Sequence, residues 1–381
     1  MSARAWAEWR GGGAPYTVGA EEELMIVGGD PLELTPAGPR VLEALPPELD
    51  GRVSPETHAS ALEIQTVIHG TVAGATAELE ALRAMMAEGL TGLGLRAASA
   101  GTHPLALGLD VKVSPHERYQ HLYRDLGALA RREPTFALHV HVGLPTPEAA
   151  LRAFNHLRTQ VPLLIALSAN SPFWRGRDSG LASARTFIFK AFPRTGLPRR
   201  FDSYEEYVAA LDGLIAPGAI PEPTFVWWDL RLQPSLGTLE VRVMDAQPKV
   251  ADTGALIALV QCLVREAVEG DALPRAPLPE IIDENHFIAA RDGGDAELID
   301  GEGRVPLRTL LDDAIARCRE HAAALGCEAE LDAATALGRD NGAARQRRAA
   351  AEHGVPGVAV VLADAYAAPA VVDGSTSRSS R

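Results

Sequence analysis

The sequence predicts an α+β protein in which one face of a sheet packs on helices and the other face lines a site. Strand-like segments lie far apart in the chain and carry polar residues along one face. Long segments rich in Ala and Leu separate them, which is typical of helices that cover a sheet. The segments do not follow the regular βαβα alternation of a TIM barrel or a Rossmann domain.

Each strand prediction rests on an apolar or β-branched run bounded by turn residues. The predicted strands are Tyr16–Val27, Ala61–Ile68, Leu95–Ala100, Phe136–Leu144, Thr224–Arg231 and Thr238–Val243. Each helix prediction rests on helix-forming residues with apolar periodicity. The predicted helices are 36–46, Thr71–Leu93, His116–Ala130, Pro147–Ala169, Tyr204–Ile215 and Asp252–Glu269, with mostly helical chain to about residue 349 and a loop-rich segment over 171–200.

The predicted domain organisation is simple. Residues 1–14 are expected to form a loose leader, and residues 15–370 a single catalytic domain. Residues 371–381 are rich in Ser and Arg, so we expect a disordered tail. The chain has no internal repeat and no linker long enough to divide it.

The composition excludes several classes of protein. A formal net charge of −14 argues against nucleic-acid binding, because no excess of Lys and Arg can neutralise phosphates. Three cysteines without a CxxC pair argue against a zinc knuckle or a disulfide framework. The N-terminus lacks an apolar signal region, and no apolar stretch is long enough to span a bilayer, so the cytoplasm is the expected compartment.

The first chemical signal is the run Glu21-Glu22-Glu23. Alternate residues of a strand share a face, so Glu21 and Glu23 are expected to point one way and Glu22 the other. Two neighbouring carboxylates on one face repel each other unless a divalent cation, a basic partner or a shared proton holds them. A solvated strand edge is the alternative interpretation.

The second signal is His139-Val140-His141, which places two imidazoles on one strand face. Neutral histidine is a common metal ligand, and two on one face can meet one ion or one phosphate. Histidines satisfied within the core or at the surface are the alternative.

Two further strands carry acids on a polar face. In Thr238–Asp245, Glu240 and Arg242 alternate with apolar residues, which also fits an exposed strand with a local ion pair. In Ala61–Thr66, Glu63 lies on the polar face. A regular strand would put Asp245 on the face opposite Glu240, so we expect no direct metal role for Asp245.

The segment from Trp174 to Thr186 is rich in Arg and Gly and includes Arg177 and Arg185. Guanidinium forks bind carboxylate and phosphate oxygens at two points, and glycine lets the backbone approach a ligand closely. No Walker A or GxGxxG sequence occurs, so a P-loop or Rossmann nucleotide site is unsupported.

Taken together, these segments indicate a carboxylate-rich site with histidine beside an arginine cluster. Such a ligand set suits Mg²⁺ or Mn²⁺ better than structural zinc. Phosphoryl transfer from ATP needs this combination, since it depends on charge neutralisation and alignment of the reacting groups.

The sequence resembles the type 2 glutamate–cysteine ligase family of carboxylate–amine ligases. The resemblance is carried by VGAEEELMIV, LEIQT, HVHVGLP, SPFWRGRDSGLASARTFIF, FPRTGLP, GTLEVRVMDAQP and ENHFIAARDGGDAELID, which run in family order from residue 18 to residue 300. It implies a glutamine-synthetase-like fold, in which a curved, mainly antiparallel sheet forms a funnel backed by helices. It also implies an ATP- and Mg²⁺-dependent ligase that joins a carboxylate to an amine through an acyl phosphate.

The resemblance also implies roles for individual residues. The implied metal ligands are Glu21, Glu23, Glu63, His141 and Glu240. Arg242 matches an arginine near the transferred phosphoryl group, and Arg185 and Arg177 are expected to bind substrate carboxylate or phosphate. Arg242, Arg185 and Glu240 are the expected catalytic residues, while His139 and Glu22 are expected to support the ligands.

The substrates stay open at this point. Glutamate with cysteine, or another small-molecule acid and amine, would fit the same activation chemistry. The His-x-His pair with nearby acids also raises the hypothesis of a metal-dependent hydrolase, and a non-catalytic binding protein with the same fold is a third alternative. A homodimer would be the commonest assembly for an enzyme of this size.

Overall fold

The computed structural model describes residues 4–108, 112–132, 134–270 and 276–368. Its strands are β1 Val18–Gly28, β2 Glu33–Leu34, β3 Val53–Pro55, β4 Ala61–Gln65, β5 Arg96–Ala98, β6 Ala137–Gly143, β7 Phe173–Trp174, β8 Arg177–Asp178, β9 Thr195–Gly196, β10 Trp227–Trp228, β11 Leu230–Gln233, β12 Thr238–Asp245, β13 Glu297–Asp300 and β14 Gly303–Pro306. Its α-helices are α1 Gly38–Ala44, α2 Val72–Gly92, α3 Glu117–Leu126, α4 Pro147–Ser168, α5 Ala184–Lys190, α6 Tyr204–Ile215, α7 Val250–Glu269, α8 Pro279–Asp292, α9 Leu307–Leu325, α10 Glu328–Leu337 and α11 Gly342–Ala367. The predicted tail, 371–381, lies outside the described residues.

The central sheet has eight strands, and its main path runs β11-β12-β6-β1-β4-β3, with β2 and β5 also paired to β1. Every pair in it is antiparallel. The predicted α+β class is therefore confirmed. The βα alternation that a barrel hydrolase would need does not occur in this sheet.

Three long helices, α2, α4 and α7, cover one face of the sheet. The helix α7 contacts α2, α4, α9 and α10, while α4 also packs on β11 and β12. Thr71 caps α2 by accepting a hydrogen bond from Gly74 N, and Thr146 caps α4 in the same way. Of the 20 residues in α7, 14 are buried, because this helix lies between the sheet and the outer helices.

The N-terminal segment lies against the domain from residue 4 onward, although the sequence suggested a loose leader. The indole of Trp9 donates to Leu144 O at 3.0 Å, and that of Trp6 donates to Asp212 at 3.1 Å. The backbone of Arg10 donates to Pro234 O at 2.8 Å. These bonds bring the glycine run that follows, 11–13, to the end of β6.

Three parts of the chain differ from the predicted elements. The segment 171–200 contains the short helix α5 between two-residue strands. The predicted strand Thr224–Arg231 begins as a 3-10 turn and is divided into β10 and β11. The antiparallel pair β13–β14 interrupts the helical C-terminal part. Short or irregular elements carry too few residues to show a period, so the sequence did not reveal them.

The described residues hold three free cysteines, and all three are buried. Cys262 Sγ and Cys327 Sγ lie 3.7 Å apart where α7 meets the start of α10. Within the described residues, no helix combines the length and the apolar character that a bilayer crossing requires.

A buried ion pair behind the sheet fixes the middle of β1. Glu22 is 1% exposed and accepts from Arg83 Nε at 2.8 Å, from Arg83 Nη2 at 2.5 Å and from Thr253 Oγ1 at 2.8 Å. Arg83 also donates to the backbone oxygens of Gln247 and Pro248, and its guanidinium lies over the ring of Tyr366. The bonds from α2 and α7 thus hold Glu22 on the helix side.

Replacing Arg83 should therefore destabilise the protein strongly. In Arg83→Leu the Glu22 carboxylate stays buried without its charge partner, and we expect a loss of about 3–5 kcal/mol in the free energy of unfolding. Urea denaturation followed by circular dichroism measures this loss. Arg319→Leu is the matched control, because Arg319 pairs with Asp332 at the surface and exposed pairs contribute at most about 1 kcal/mol. Equal losses in the two variants would contradict the role of the buried pair.

His103 should make the stability depend on pH. Its Nε2 donates to Leu32 O at 2.8 Å and its Nδ1 accepts from Leu105 N, so the buried ring is neutral. Burial lowers the pKa of His103 to about 4, and the bond to Leu32 opposes this only in part. The unfolded chain binds a proton near pH 6.5, so stability is lost as the pH falls from about 6.5 toward 4, by about 2 kcal/mol between pH 7 and 5.

The test compares unfolding at pH 7 and pH 5 in the parent chain and in His103→Gln. The acid-induced loss should be smaller in the variant by about that amount. His121→Gln, which removes an exposed imidazole, should keep the parent's pH dependence. The same pH dependence in His103→Gln as in the parent would show that His103 is not the group responsible.

Candidate active site

The registers of β1, β4, β6 and β12 bring the predicted acidic residues and histidines together. Glu21 lies opposite His139, Glu23 opposite Glu63, and Glu240 opposite His141. Directly paired residues of antiparallel strands share a face. All these side chains therefore lie on the face turned away from the helix layer, while Glu22 points into it.

Histidine 139 lies at the centre of this group. Its Nδ1 is 3.0 Å from Glu21 Oε2 and 4.0 Å from Glu63, and its Nε2 is 3.8 Å from Glu23 Oε1. The ligand atoms of Glu21, His139 and Glu240 lie within 4.8 Å of one another, and so do those of Glu23, Glu63 and His139. Two neighbouring clusters of metal-ligating type thus share His139, for which the sequence suggested only a supporting role.

His141, the histidine predicted as a ligand, lies at the edge of the first cluster. Its Nε2 is buried without a hydrogen-bond partner, 3.3 Å from Glu21 Oε1 and 3.8 Å from Glu240 Oε1. Its Nδ1 lies 3.0 Å from the hydroxyl of Thr238. An unpartnered nitrogen that faces two carboxylates can bind a proton or a cation.

The carboxylates of the second cluster repel one another. Burial, and then the charge of Glu56, raise the pKa of Glu23 to about 8. Burial and the charges of Glu21, Glu56 and Glu23 raise the pKa of Glu63 well above its usual value. A divalent cation would remove this repulsion. Oxygen ligands with one imidazole and no thiolate are the set that Mg²⁺ and Mn²⁺ prefer, so these residues fit such an ion.

Glu240, in contrast, is surrounded by cations. Arg231 donates to it from Nε at 2.9 Å and from Nη2 at 3.1 Å, Gln233 donates at 2.8 Å, and Arg242 Nη1 also bonds to it. Burial alone would raise the pKa of Glu240, but the charges of Arg231 and Arg242 hold it well below its usual value. The carboxylate therefore stays ionised next to His141. Arg231 was not predicted, although it alternates with Leu230 and Leu232 on β11.

The predicted face of Asp245 is wrong because β12 contains a bulge. The register changes between Val241 and Met244, so Asp245 pairs with Ala137 and lies on the same face as Glu240. Its carboxylate accepts from Asn170 N and from the hydroxyls of Ser171 and Ser183, at 2.9, 2.7 and 2.9 Å. These bonds connect β12 to the loop before α5.

Arg185 is held by the bulge. Its Nη1 donates to Val243 O at 3.0 Å and its Nη2 to Arg242 O at 3.1 Å, while its Nε is buried without a partner. Arg242 likewise keeps a buried Nε without a partner. Arg177 lies exposed on β8 and is not among the residues that line the cavities, so its predicted role in binding finds no support in its position.

Glu21 lines two cavities. The first has a volume of about 450 Å³, and the second about 460 Å³. The first cavity is lined by Glu21, Glu23, Glu56, Thr57, His58, Glu63, Arg118, Tyr119, Leu122, Leu126, Ala130, Thr135, His139, Arg185, Phe189, Phe192, Thr224, Phe225, Trp227, Arg231 and Arg242. The second is lined mainly by 10–14, 17–21, 65–68, His141, 143–144 and 236–238.

Sequence reasoning missed Glu56 and the aromatic residues of the first cavity. Glu56 follows β3 directly, and its Oε2 accepts from Thr57 N at 2.8 Å. Burial raises its pKa, as it does for Glu23 and Glu63. Residues in loops have no period that assigns them to a face, so no signal in one sequence could have placed Glu56 there.

Comparison with known proteins identifies the family. Residues 17–361 match the family described as glutamate–cysteine ligase family 2. This chain belongs to that family. Two Rubrobacter xylanophilus relatives, named "Putative glutamate--cysteine ligase 2-1" and "2-3", are 43% and 42% identical to it. The first alignment covers 85% of this chain and 87% of the relative, and the second covers 94% and 99%.

Solved structures share the fold. The Francisella tularensis glutamate–cysteine ligase in complex with AMP matches with a TM-score of 0.67 at 15% identity, covering 94% of this chain and 90% of that one. A bifunctional glutathione synthetase from Pasteurella multocida also matches with a TM-score of 0.67 at 15% identity, over 93% of this chain and 52% of its own. The expected glutamine-synthetase-like fold is thereby confirmed. Together with the family assignment, the chain is an ATP-dependent carboxylate–amine ligase.

The position of His139 in both clusters gives a prediction. In His139→Gln the imidazole that belongs to both clusters is lost, so Mn²⁺ should bind at least about tenfold more weakly. Electron paramagnetic resonance of free Mn²⁺ measures this without any substrate. His121→Gln, at the surface, should bind as the parent does. Unchanged Mn²⁺ affinity in His139→Gln would exclude His139 as a ligand.

Proposed function

We propose that the chain forms an amide in two steps on the charged face of the sheet. The carboxylate oxygen of the acid attacks the γ-phosphorus of ATP, which gives an acyl phosphate and ADP. The amine nitrogen then attacks the acyl carbon, and phosphate leaves. The observation that carries this proposal is that acids on β1, β4 and β12, the two histidines on β6 and Arg242 on β12 lie together beside two cavities. Such a group supplies charge neutralisation and alignment rather than a covalent nucleophile.

The two cavities suit different substrates. The second has a glycine-rich rim, 11–13, and carries the exposed apolar side chains of Val67, Ile68 and Leu236. A flat purine can pack on such a surface, with its phosphates directed toward Glu21 and His141. The first cavity holds Arg185 and Arg242 and would take the acid and the amine.

The donor set fits Mg²⁺, with Mn²⁺ as a substitute. Glu21, Glu240 and His139 form one set that could hold an ion, with His141 beside it, and Glu23, Glu63 and His139 form another. A neutral imidazole has a single lone pair, so His139 would bind an ion in one of these sets at a time, and an ion in the other set would be held by the carboxylates. Bound there, the ions would neutralise the phosphate charge of ATP and orient its oxygens. His141, whose Nε2 is 3.3 Å from Glu21 Oε1, would orient Glu21 toward the phosphates.

The arginines have separate tasks in this proposal. Arg242, with its free Nε, would bind the carboxylate and the transferred phosphoryl oxygens at two points. Arg185 supports Arg242 by holding the carbonyl groups of the bulge, and it offers its own Nε to the acid. Arg231 would keep Glu240 ionised and oriented. The catalytic set is therefore Arg242, Arg185 and Glu240.

The names of the relatives make glutamate with cysteine the first pair to test, and another acid and amine would use the same chemistry. A cytoplasmic location and a homodimer stay predictions. No observation in the described residues favours the hydrolase hypothesis.

Arg242→Lys tests the proposal. Lysine keeps the charge but cannot reproduce the planar fork, so kcat for ADP release with Mg·ATP and an acid and amine that the parent turns over should fall by about 10²-fold or more. Arg319→Lys, outside both cavities, should keep the parent's rate. Near-normal turnover in Arg242→Lys would contradict the assigned role. Failure of the parent to release ADP with any acid and amine would contradict the ligase itself.

A further inference from the structure

One wall of the first cavity is aromatic. We propose that the acid substrate carries a bulky apolar body, such as an aromatic ring, and a single carboxylate. This inference rests on the proposed function. The wall consists of Phe189 and Phe192, from α5 and the turn after it, and of Phe225 and Trp227, before and within β10. We call these four residues the aromatic wall.

The aromatic wall is packed in advance of binding. The ring centroids of Phe189 and Phe192 are 5.8 Å apart, and those of Phe225 and Trp227 are 6.3 Å apart. Three guanidinium groups lie against its rings: Arg185 at 5.6 Å from Phe189, Arg118 at 4.8 Å from Phe225 and Arg194 at 5.1 Å from Trp227. These contacts fix the rings, so an apolar ligand would bind with little loss of side-chain freedom.

The aromatic wall adjoins the arginines that would bind the carboxylate. Phe189 and Trp227 line a small crevice together with Arg185 and Arg242. The Nε atoms of both arginines are buried and lack partners. A carboxylate held by these donors would place the body of the acid on the rings. Burial of an apolar body there removes both surfaces from water.

Of the four arginines among the described residues that line this cavity, the two other than Arg185 and Arg242 already have carboxylate partners. Arg118 donates to Glu222 at 2.6 Å and to Thr224 at 2.9 Å, and Arg231 is occupied by Glu240. A dicarboxylic acid would therefore have to divide Arg185 and Arg242 between its two carboxylates or displace an existing partner, whereas an apolar monocarboxylic acid would need neither.

The volume of the first cavity is large enough for an acid with an aromatic ring. A cavity of about 450 Å³ lies within the range of sites that hold drug-sized ligands. Leu122, Leu126 and Ala130 add further apolar lining from α3 and the turn after it. The acid could thus contact apolar residues from two separate parts of the chain.

Hydroxylamine allows a test that does not require the natural amine. Its nitrogen attacks the acyl carbon of the acyl phosphate, phosphate leaves, and the hydroxamate is measured with iron(III) alongside ADP. The acids compared are 3-phenylpropionate, propionate and glutamate, each with Mg·ATP. We expect kcat/KM for 3-phenylpropionate to exceed that for glutamate at least tenfold.

Two variants test whether the ring of 3-phenylpropionate binds at the aromatic wall. Trp227→Ala should lower kcat/KM about tenfold for 3-phenylpropionate and by a smaller factor for propionate, which has no ring to place. Phe287→Ala is the matched control, because Phe287 is 39% exposed on α8 and lines neither cavity, and it should change neither value.

The outcomes separate the two proposals. Hydroxamate formed fastest from glutamate, with 3-phenylpropionate a poor substrate, would overturn the inference and leave the ligase standing. Equal losses for 3-phenylpropionate and propionate in Trp227→Ala would also overturn it. Neither hydroxamate nor ADP from any acid would overturn the proposed function, and the inference with it.

Discussion

The site depends on the register and orientation of β1. Three consecutive glutamates on one strand must divide between two faces, and only one of those faces can hold two carboxylates. Arg83 and Thr253 bind Glu22 behind the sheet, where it is almost fully buried. A slip of one residue would place Glu21 and Glu23 among the helices, where they have no such partners. The buried pair thus selects the face on which the acids meet the histidines.

The charges on the open face are arranged in two zones. Around Glu240, two arginines outweigh burial and keep the carboxylate ionised. Around Glu23 and Glu63, acids meet acids and their pKa values rise. Repulsion of this kind lowers the stability of the folded chain, and it persists because the surrounding strands fix the positions. A divalent cation would stabilise this site most between Glu23 and Glu63, because the charges of these carboxylates repel each other. Among the described residues, no group neutralises that repulsion as the arginines do for Glu240.

Much of this arrangement could be predicted from the sequence, because period-two alternation assigns a strand residue to a face. That argument placed Glu21, Glu23, Glu63 and Glu240 each on the polar face of its own strand, and the strand registers bring these faces together. It failed at Asp245, because a single extra residue in a bulge reverses the face of everything after it. Alternation also cannot rank two histidines on the same face, so the central position of His139 became visible only from distances.

The rest of the site comes from segments without a period. Glu56 lies in a loop, and the aromatic wall combines a short helix with the chain before a two-residue strand. Their proximity to the acids is set by tertiary packing: Asp245 binds Asn170, Ser171 and Ser183 and thereby fixes the start of α5. A contact between β12 and a loop more than 60 residues earlier cannot be predicted from the pattern of residues in either segment.

The separation of the two cavities has a mechanistic consequence under the proposed function. Glu21 lines both, with one neighbour in the histidine pair on each side: His139 lines the first cavity and His141 the second. The phosphate donor and the acid would then approach the same carboxylate from two different cavities. An in-line displacement at phosphorus requires the attacking and leaving oxygens to lie on opposite sides. Substrates that enter from two different cavities could meet in this way. Under the two proposals, β1, β6 and β12 would thus keep the phosphoryl chemistry constant, while the aromatic wall would determine which acid is activated.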